Sequence, residues 1–213
     1  MNYFDQKASD WDKNLERADR VKKIYNRIIE IADIDKDDTV LDFGCGTGSL
    51  GFNFIKDVKT VCFADTSNGM LGEVERKAQE QKIKNYKTIN LDEETIQDRF
   101  RLIVSLLAFH HIDNFKEALK ELLKQIDDGG YMVVSDLDIE DGTFHYPQKV
   151  PHNGIDRDII LKCLINNNYQ IVCNETIYIQ EKIVNEERID YPIFLIIGRA
   201  SKDIKNKTSS KPI

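Results

Sequence analysis

Thr39-Val40-Leu41-Asp42-Phe43-Gly44-Cys45-Gly46-Thr47-Gly48 is the stretch from which the fold can be read. Its first five residues form a short apolar run of buried-strand length. Glycines at 44, 46 and 48 follow at once, and residues 49–56 are expected to form a helix opening on that loop. Alternating glycines allow a tight turn and let the backbone approach a ligand where a Cβ would collide. A helix N-terminus at the end of such a turn adds free N–H groups and a partial positive charge.

Working outward, the same unit recurs. Residues 60–64 read as a second strand with Asp65 at its end, and residues 70–81 as a helix. Residues 86–91 and 102–107 are a third and fourth strand. Residues 115–126 are a helix with Phe115, Ala118, Leu119, Leu122, Leu123 and Ile126 on one face, stopped by Asp127-Asp128-Gly129-Gly130. Residues 131–135 are a fifth strand. On the N-terminal side, Val21, Ile24, Tyr25, Ile28 and Ile31 share one face of a helix over 20–32. Strands alternating with helices imply βαβ units, a mostly parallel sheet and right-handed crossovers. Ligands of such sheets sit at the carboxyl ends of the strands near the switch in strand order. The loops after Phe43, Ala64, Leu91 and Leu107 are therefore the candidates.

The last third changes character. Residues 136–154 are a long irregular stretch holding Gly142, His145, Pro147, Pro151 and His152, and loops of that length are usually functional or disordered. A helix over 156–166 follows. Strands over 170–181 and 192–199, joined by a charged connection, can pair as an antiparallel hairpin at the sheet edge. The expected architecture is α/β: a Rossmann-like, doubly wound, seven-stranded sheet with helices on both faces.

The chain has 213 residues, 41% of them apolar, with 30 Lys and Arg against 37 Asp and Glu and a net charge of −7. That composition suits one folded domain over 1–200, with a lid and first helix in 1–35 and a substrate-side insertion and helix in 136–168. Residues 201–213 form a polar, Lys-rich tail expected to be disordered. The acidic balance disfavours a large basic nucleic-acid footprint. No apolar run reaches the roughly 18–20 residues that span a bilayer, and residues 1–10 lack a signal-peptide apolar region. Cys45, Cys62, Cys163 and Cys173 form no C-x-x-C pair and read as free thiols, which suits a reducing cytoplasm. No metal-ligand spacing stands out, so no metal is expected.

The glycine loop has two readings. Gly46, Gly48 and Gly51 satisfy G-x-G-x-x-G, with Asp65 nineteen residues beyond Gly46, about where a dinucleotide fold places its ribose-binding acid. That register implies a NAD(P)-binding oxidoreductase. In the other register the loop is acid-x-G-x-G-x-G, with Asp42 two residues before Gly44.

The second register resembles motif I of the class I S-adenosylmethionine (SAM)-dependent methyltransferases. Asp65-Thr66-Ser67-Asn68-Gly69-Met70-Leu71 resembles that family's D-x-S-x-x-M-L. Phe109-His110-His111-Ile112 after the fourth strand, Asp128-Gly129-Gly130 before the fifth and the C-terminal hairpin agree with it. So does Tyr3-Phe4-Asp5-Gln6-Lys7-Ala8-Ser9-Asp10-Trp11-Asp12, which is similar to the family's F-D-x-x-A-x-x-W-D lead-in. The resemblance spans roughly residues 3–199. It implies methyl transfer from SAM to a small-molecule nucleophile, leaving S-adenosylhomocysteine. A non-catalytic SAM-binding protein and a macromolecular methyltransferase are the further alternatives.

The resemblance also assigns roles. Gly44, Cys45, Gly46, Thr47 and Gly48 would line the methionine part of SAM, and Asp42 would hold its amino group. Asp65 would accept both ribose hydroxyls, with Thr66 beside it. Met70 or Leu71 would pack on adenine, Asn90 and Leu91 would meet its edge, and Leu106 would offer backbone. Two residues depart from the family pattern: Asn90 stands where Asp is frequent, and Arg101 replaces a common Asp before the fourth strand. Tyr3, Trp11, His111 and His145 are expected around the substrate. His110 and His152 are the candidate bases, because imidazole titrates near neutral pH.

Overall fold

The computed structural model describes Asp5 and residues 15–201. Tyr3, Trp11 and residues 202–213 of the tail lie outside the described residues. The elements run α1 (Leu15–Ile31), β1 (Thr39–Phe43), α2 (Gly51–Phe54), β2 (Thr60–Asp65), α3 (Asn68–Glu80), β3 (Tyr86–Asn90) and β4 (Phe100–Leu106). A 3₁₀ turn (Phe109–His111) leads to α4 (Phe115–Lys124), β5 (Ile126–Leu137), α5 (Arg157–Asn166), β6 (Tyr169–Val184) and β7 (Glu187–Ala200). The strands form one seven-stranded sheet in the order β3-β2-β1-β4-β5-β7-β6. β7 is antiparallel to both β5 and β6, and the other neighbouring pairs are parallel.

Period-two alternation divides the sheet into two dry faces. Leu41, Cys62, Ile103, Met132, Val134 and Phe194 point to one side, against Leu119 and Leu122 of α4 and Ile160 and Leu164 of α5. Val40, Val61, Phe63, Leu102, Val104 and Val133 point to the other, against Ile24 and Ile28 of α1 and Val74 of α3. The central strands are buried on both faces and so read as unbroken apolar runs. Each fully buried Leu, Ile or Val contributes about 1.5–3 kcal/mol, so these two layers hold the helices on the sheet and fix the positions of its strand ends.

Several elements differ from the pattern reading. The helix expected over 49–56 is a single turn, because β2 must begin at Thr60. Helix α4 ends at Lys124, before Asp127-Asp128-Gly129-Gly130, which lies within β5 and does not itself stop the helix. Pairing jumps from Phe100↔Ile126 to Leu102↔Tyr131, so these residues loop out as a bulge. Arg101 lies inside β4, where its guanidinium donates to the Asp33 carbonyl at 3.0 Å and stacks on the Tyr131 ring. Among the thiols, Cys163 is only partly buried.

The largest difference is the terminal hairpin. Its strands continue through the charged residues 182–191 to a two-residue turn at Asn185-Glu186, flanked by the pair Val184↔Glu187. Both turn residues have positive φ, 50° and 68°. That is the backbone of a two-residue turn matched to strand twist, which Asn tolerates and Glu does not. Charged side chains on an edge ribbon hid the strand from pattern reading.

Replacing Glu186 with Gly should therefore stabilise the protein by about 1 kcal/mol, since glycine removes the left-handed penalty. A urea titration of both proteins checks this; an unchanged or lower midpoint would contradict it.

Candidate active site

The glycine loop sits at the switch in strand order, where β1 is flanked by β2 and β4. Gly44 N and Cys45 N both donate to the Ala64 carbonyl, at 2.8 and 3.0 Å, which ties the loop to the end of β2. Gly44, Gly46 and Gly48 have φ of 67°, 52° and 79°. A Cβ at Gly44 would lie 2.4 Å from the Ala108 Cβ. The loops after β1 and β4 therefore touch, and only glycine at 44 permits it.

Two carboxylates flank this loop, Asp42 buried and Asp65 partly buried. Asp42 is 2% exposed and accepts from Gly51 N at 2.8 Å. Burial pushes its pKa up to about 7, only partly offset by that hydrogen bond. Gly51 allows the approach, since a Cβ there would meet Phe63 at 2.5 Å and the Asp42 carboxylate at 2.8 Å. Asp65 accepts from Gly46 N and Ser67 N at 2.8 and 2.9 Å, and burial raises its pKa as well.

The remaining expected cofactor residues gather at the same strand ends. Thr47 is buried, and its carbonyl accepts from Lys77 at 2.8 Å. Burial also lifts the Cys45 thiol well above its usual range. Thr66 is exposed beside Asp65, Met70 is fully buried, and Leu106 is half-buried at the end of β4. Leu91 N donates to the Asp65 carbonyl at 3.0 Å. Asn90 donates to Asn68 Oδ1 and accepts from Asp92 N, both at 2.8 Å, so its amide pins the β3 turn to the start of α3. Asp5 of the lead-in docks on that same helix start. Its carboxylate accepts from Ser67 Oγ at 2.6 Å and from Gly69 N at 2.9 Å.

The histidines separate into two groups. His110, His111 and His145 converge, with ligand nitrogens all within 4.8 Å of one another. Nδ1 of His110 meets Asp136 Oδ1 at 2.5 Å, and its Nε2 meets His145 Nε2 at 3.0 Å. A carboxylate accepts the Nδ1 proton, which leaves Nε2 of His110 as acceptor and His145 Nε2–H as donor. Asp136 is fully buried and also accepts from Leu137 N at 2.8 Å. Burial, and then the neighbouring imidazoles, lower His111 to about 3 and His145 to about 4. His152, expected as a base, stands elsewhere. Its Nε2 donates to the Ile112 and Asp113 carbonyls at 3.1 Å, and its ring packs edge-on against Phe115. It clips the loop to the segment between the 3₁₀ turn and α4.

Sequence reading missed Asp136 and the supports of His145. Asp136 ends a strand next to the switch, and that position was its one available sign. The supports come from the hairpin. Tyr191 stacks edge-on against Phe144, which stacks against His145, and Lys182 donates to the Phe144 carbonyl at 2.5 Å. The loop over 138–156 is further tied down by the bidentate Arg157–Asp138 pair and by Glu140 N donating to the Asn153 carbonyl at 3.0 Å.

The chain belongs to the methyltransferase-domain family, whose model matches residues 13–169. It is 26% identical over 130 residues to an uncharacterized methyltransferase of Schizosaccharomyces pombe, covering 55% of this chain and 46% of that one. It is 25% identical over 118 residues to a ubiquinone biosynthesis O-methyltransferase of Rickettsia bellii, covering 55% and 48%. The chain thus spans about half the length of the curated relatives it matches. Magnesium protoporphyrin IX methyltransferase from Synechocystis, solved with bound SAM, shares the fold with a TM-score of 0.66 at 18% identity, covering 94% of this chain and 86% of that one. The acid-x-G-x-G-x-G register, not the dinucleotide one, is that of the family. Among the described residues no helix is long and apolar enough to cross a membrane.

The lowered histidines make an acid-sensitive site. The folded protein binds fewer protons at His111 and His145 than the unfolded chain between about pH 4 and 6.5, so stability rises with pH across that window. On acidification from pH 6.5 to 4 the wild type should lose about 1–3 kcal/mol more stability than His145→Asn. Paired urea titrations at the two pH values measure it; parallel losses would contradict the neutral, partly buried assignment.

Proposed function

We propose that this chain transfers a methyl group from S-adenosylmethionine to a small-molecule nucleophile in a reducing cytoplasm. One observation carries the reading: the glycine loop, with Asp42 and Asp65 beside it, abuts at Gly44 the segment that leads into His110. A cofactor face and a proton-handling face are thus adjacent. The donor set fits SAM, because a buried carboxylate suits an ammonium group and a second one suits a vicinal diol. Two backbone N–H groups already occupy part of Asp65, and a carboxylate has about four acceptor sites. The chemistry supplied by the cofactor is a methyl group activated on a positively charged sulfur.

The residues of the chain then position and deprotonate. Asp65 orients the ribose end, Asp42 the amino end, and Asn90 and Leu91 border the base. Where the nucleophile must lose a proton, His145 accepts it at Nδ1. Its Nε2–H is held by His110, whose Nδ1–H is held by Asp136, so the added charge faces a carboxylate through two hydrogen bonds. The matched O-methyltransferase and the net charge of −7 support a small substrate over a nucleic acid. Four free thiols suit a reducing compartment.

Asp65→Ala should weaken SAM binding at least tenfold by calorimetry, since charged hydrogen bonds contribute roughly 1.5–3 kcal/mol. Asp136→Asn should lower turnover about 100-fold with SAM affinity unchanged, measured as demethylated SAM over a panel of phenols, amines and acids. Tight NADH binding with no response to SAM would overturn the reading. SAM binding without turnover on any panel member would favour a non-catalytic binder.

A further inference from the structure

We propose that His110, His111 and His145 form a binding site for a divalent transition-metal ion, zinc foremost, with Asp136 fixing the orientation of His110. The three residues come from two distant segments, the 3₁₀ turn after β4 and the long loop after β5. Their nitrogens nonetheless lie within 4.8 Å of one another. In a tetrahedral zinc site, Zn–N bonds of roughly 2.0–2.1 Å place ligand nitrogens about 3.3 Å apart. The His110–His145 separation of 3.0 Å already has that scale. The remaining spacings close by side-chain rotations of at most about 1.5 Å.

The surroundings fit a metal as well. A ligating histidine characteristically gives its second ring N–H to a carboxylate, which fixes the tautomer and aims the other nitrogen. His110 does this with Asp136 at 2.5 Å. Both groups are buried, while His111 and His145 are partly exposed, so the cluster is open on one side. Three protein ligands with one open position is the arrangement of reactive, not purely structural, zinc sites. An all-imidazole set selects zinc, copper, nickel or cobalt, whereas magnesium and calcium require oxygen ligands. On binding, the ring proton of His145 shifts from Nε2 to Nδ1 through solvent, so the imidazole stays neutral, and the His110–His145 hydrogen bond is replaced by two metal bonds. On the methyl-transfer reading, a metal there would hold an oxygen nucleophile as its anion; metal binding itself does not depend on that reading.

The test uses the full chain without a polyhistidine tag, stripped with chelator and titrated with Co²⁺ and Zn²⁺. One equivalent of Co²⁺ should bind with the absorption bands of a tetrahedral site, Zn²⁺ should displace it, and Mg²⁺ should not compete. His145→Ala should weaken Zn²⁺ binding at least tenfold, and Asp136→Asn about 10–100-fold. His145→Cys should retain binding and acquire a sulfur-to-cobalt charge-transfer band, which a merely structural role would not produce. Wild-type affinity no better than His145→Ala, or no such band in His145→Cys, would overturn the proposal. SAM calorimetry on the same stripped protein separates the two readings: metal binding without SAM binding sinks the methyl-transfer reading alone, and SAM binding without metal binding sinks this one.

Discussion

The contact between Gly44 and Ala108 is the constraint on which the site depends. It joins the loop after β1 to the loop after β4, and a single added carbon would break it. Parallel neighbours β1 and β4 bring their carboxyl ends to the same edge, but that alone leaves a cleft whose width is set by side chains. Here the cleft closes to van der Waals contact on one side. The backbone N–H groups of one loop and the histidines following the other therefore belong to one surface. Phe43 and Phe109, with ring centroids 5.9 Å apart, fill the space beneath.

Three strand-end carboxylates organise that surface, two of them buried and Asp65 partly so. Asp42, Asp65 and Asp136 stand at the ends of β1, β2 and β5. Each accepts backbone N–H groups at or near its strand end: Gly51 at the start of α2 for Asp42, Gly46 and Ser67 for Asp65, Leu137 at the end of β5 for Asp136. Burying an ionised carboxylate is costly unless hydrogen bonds replace water. Those N–H donors fix the loops while the carboxylates retain acceptor capacity.

The segment between β5 and α5 is built by a different principle. The loop after β5 has little regular structure, and it is held by contacts to remote elements. Arg157 grips Asp138, His152 clips to the carbonyls of 112 and 113, and the far end of the hairpin supports Phe144 and hence His145. The hairpin is therefore more than an edge to the sheet. Its charged outer half carries Lys182 and Tyr191 to the loop, which explains why strand structure persists well beyond the apolar run that predicts it.

The alternation of strands and helices, the glycine loop and the strand-end acids Asp42 and Asp65 were legible in the chain because they are local. Period-two runs, turn glycines and acids at strand ends each declare themselves within a few residues. The hairpin's length was hidden, because an edge ribbon needs no apolar face, and so was the bulge at 127–130, because its two glycines look like a stop. Above all, proximity was hidden. Nothing near His110 in sequence indicates that Asp136 lies on one of its nitrogens and His145 on the other, since those contacts exist only after β4 and β5 pair and the hairpin lifts the intervening loop. The sequence by itself determined a mostly parallel sheet with a glycine loop at its switch point; only the tertiary structure decided that His110 and His145 meet while His152 turns to the carbonyls of 112 and 113, because side chains from distant segments come within hydrogen-bond reach only when packing removes the water between them.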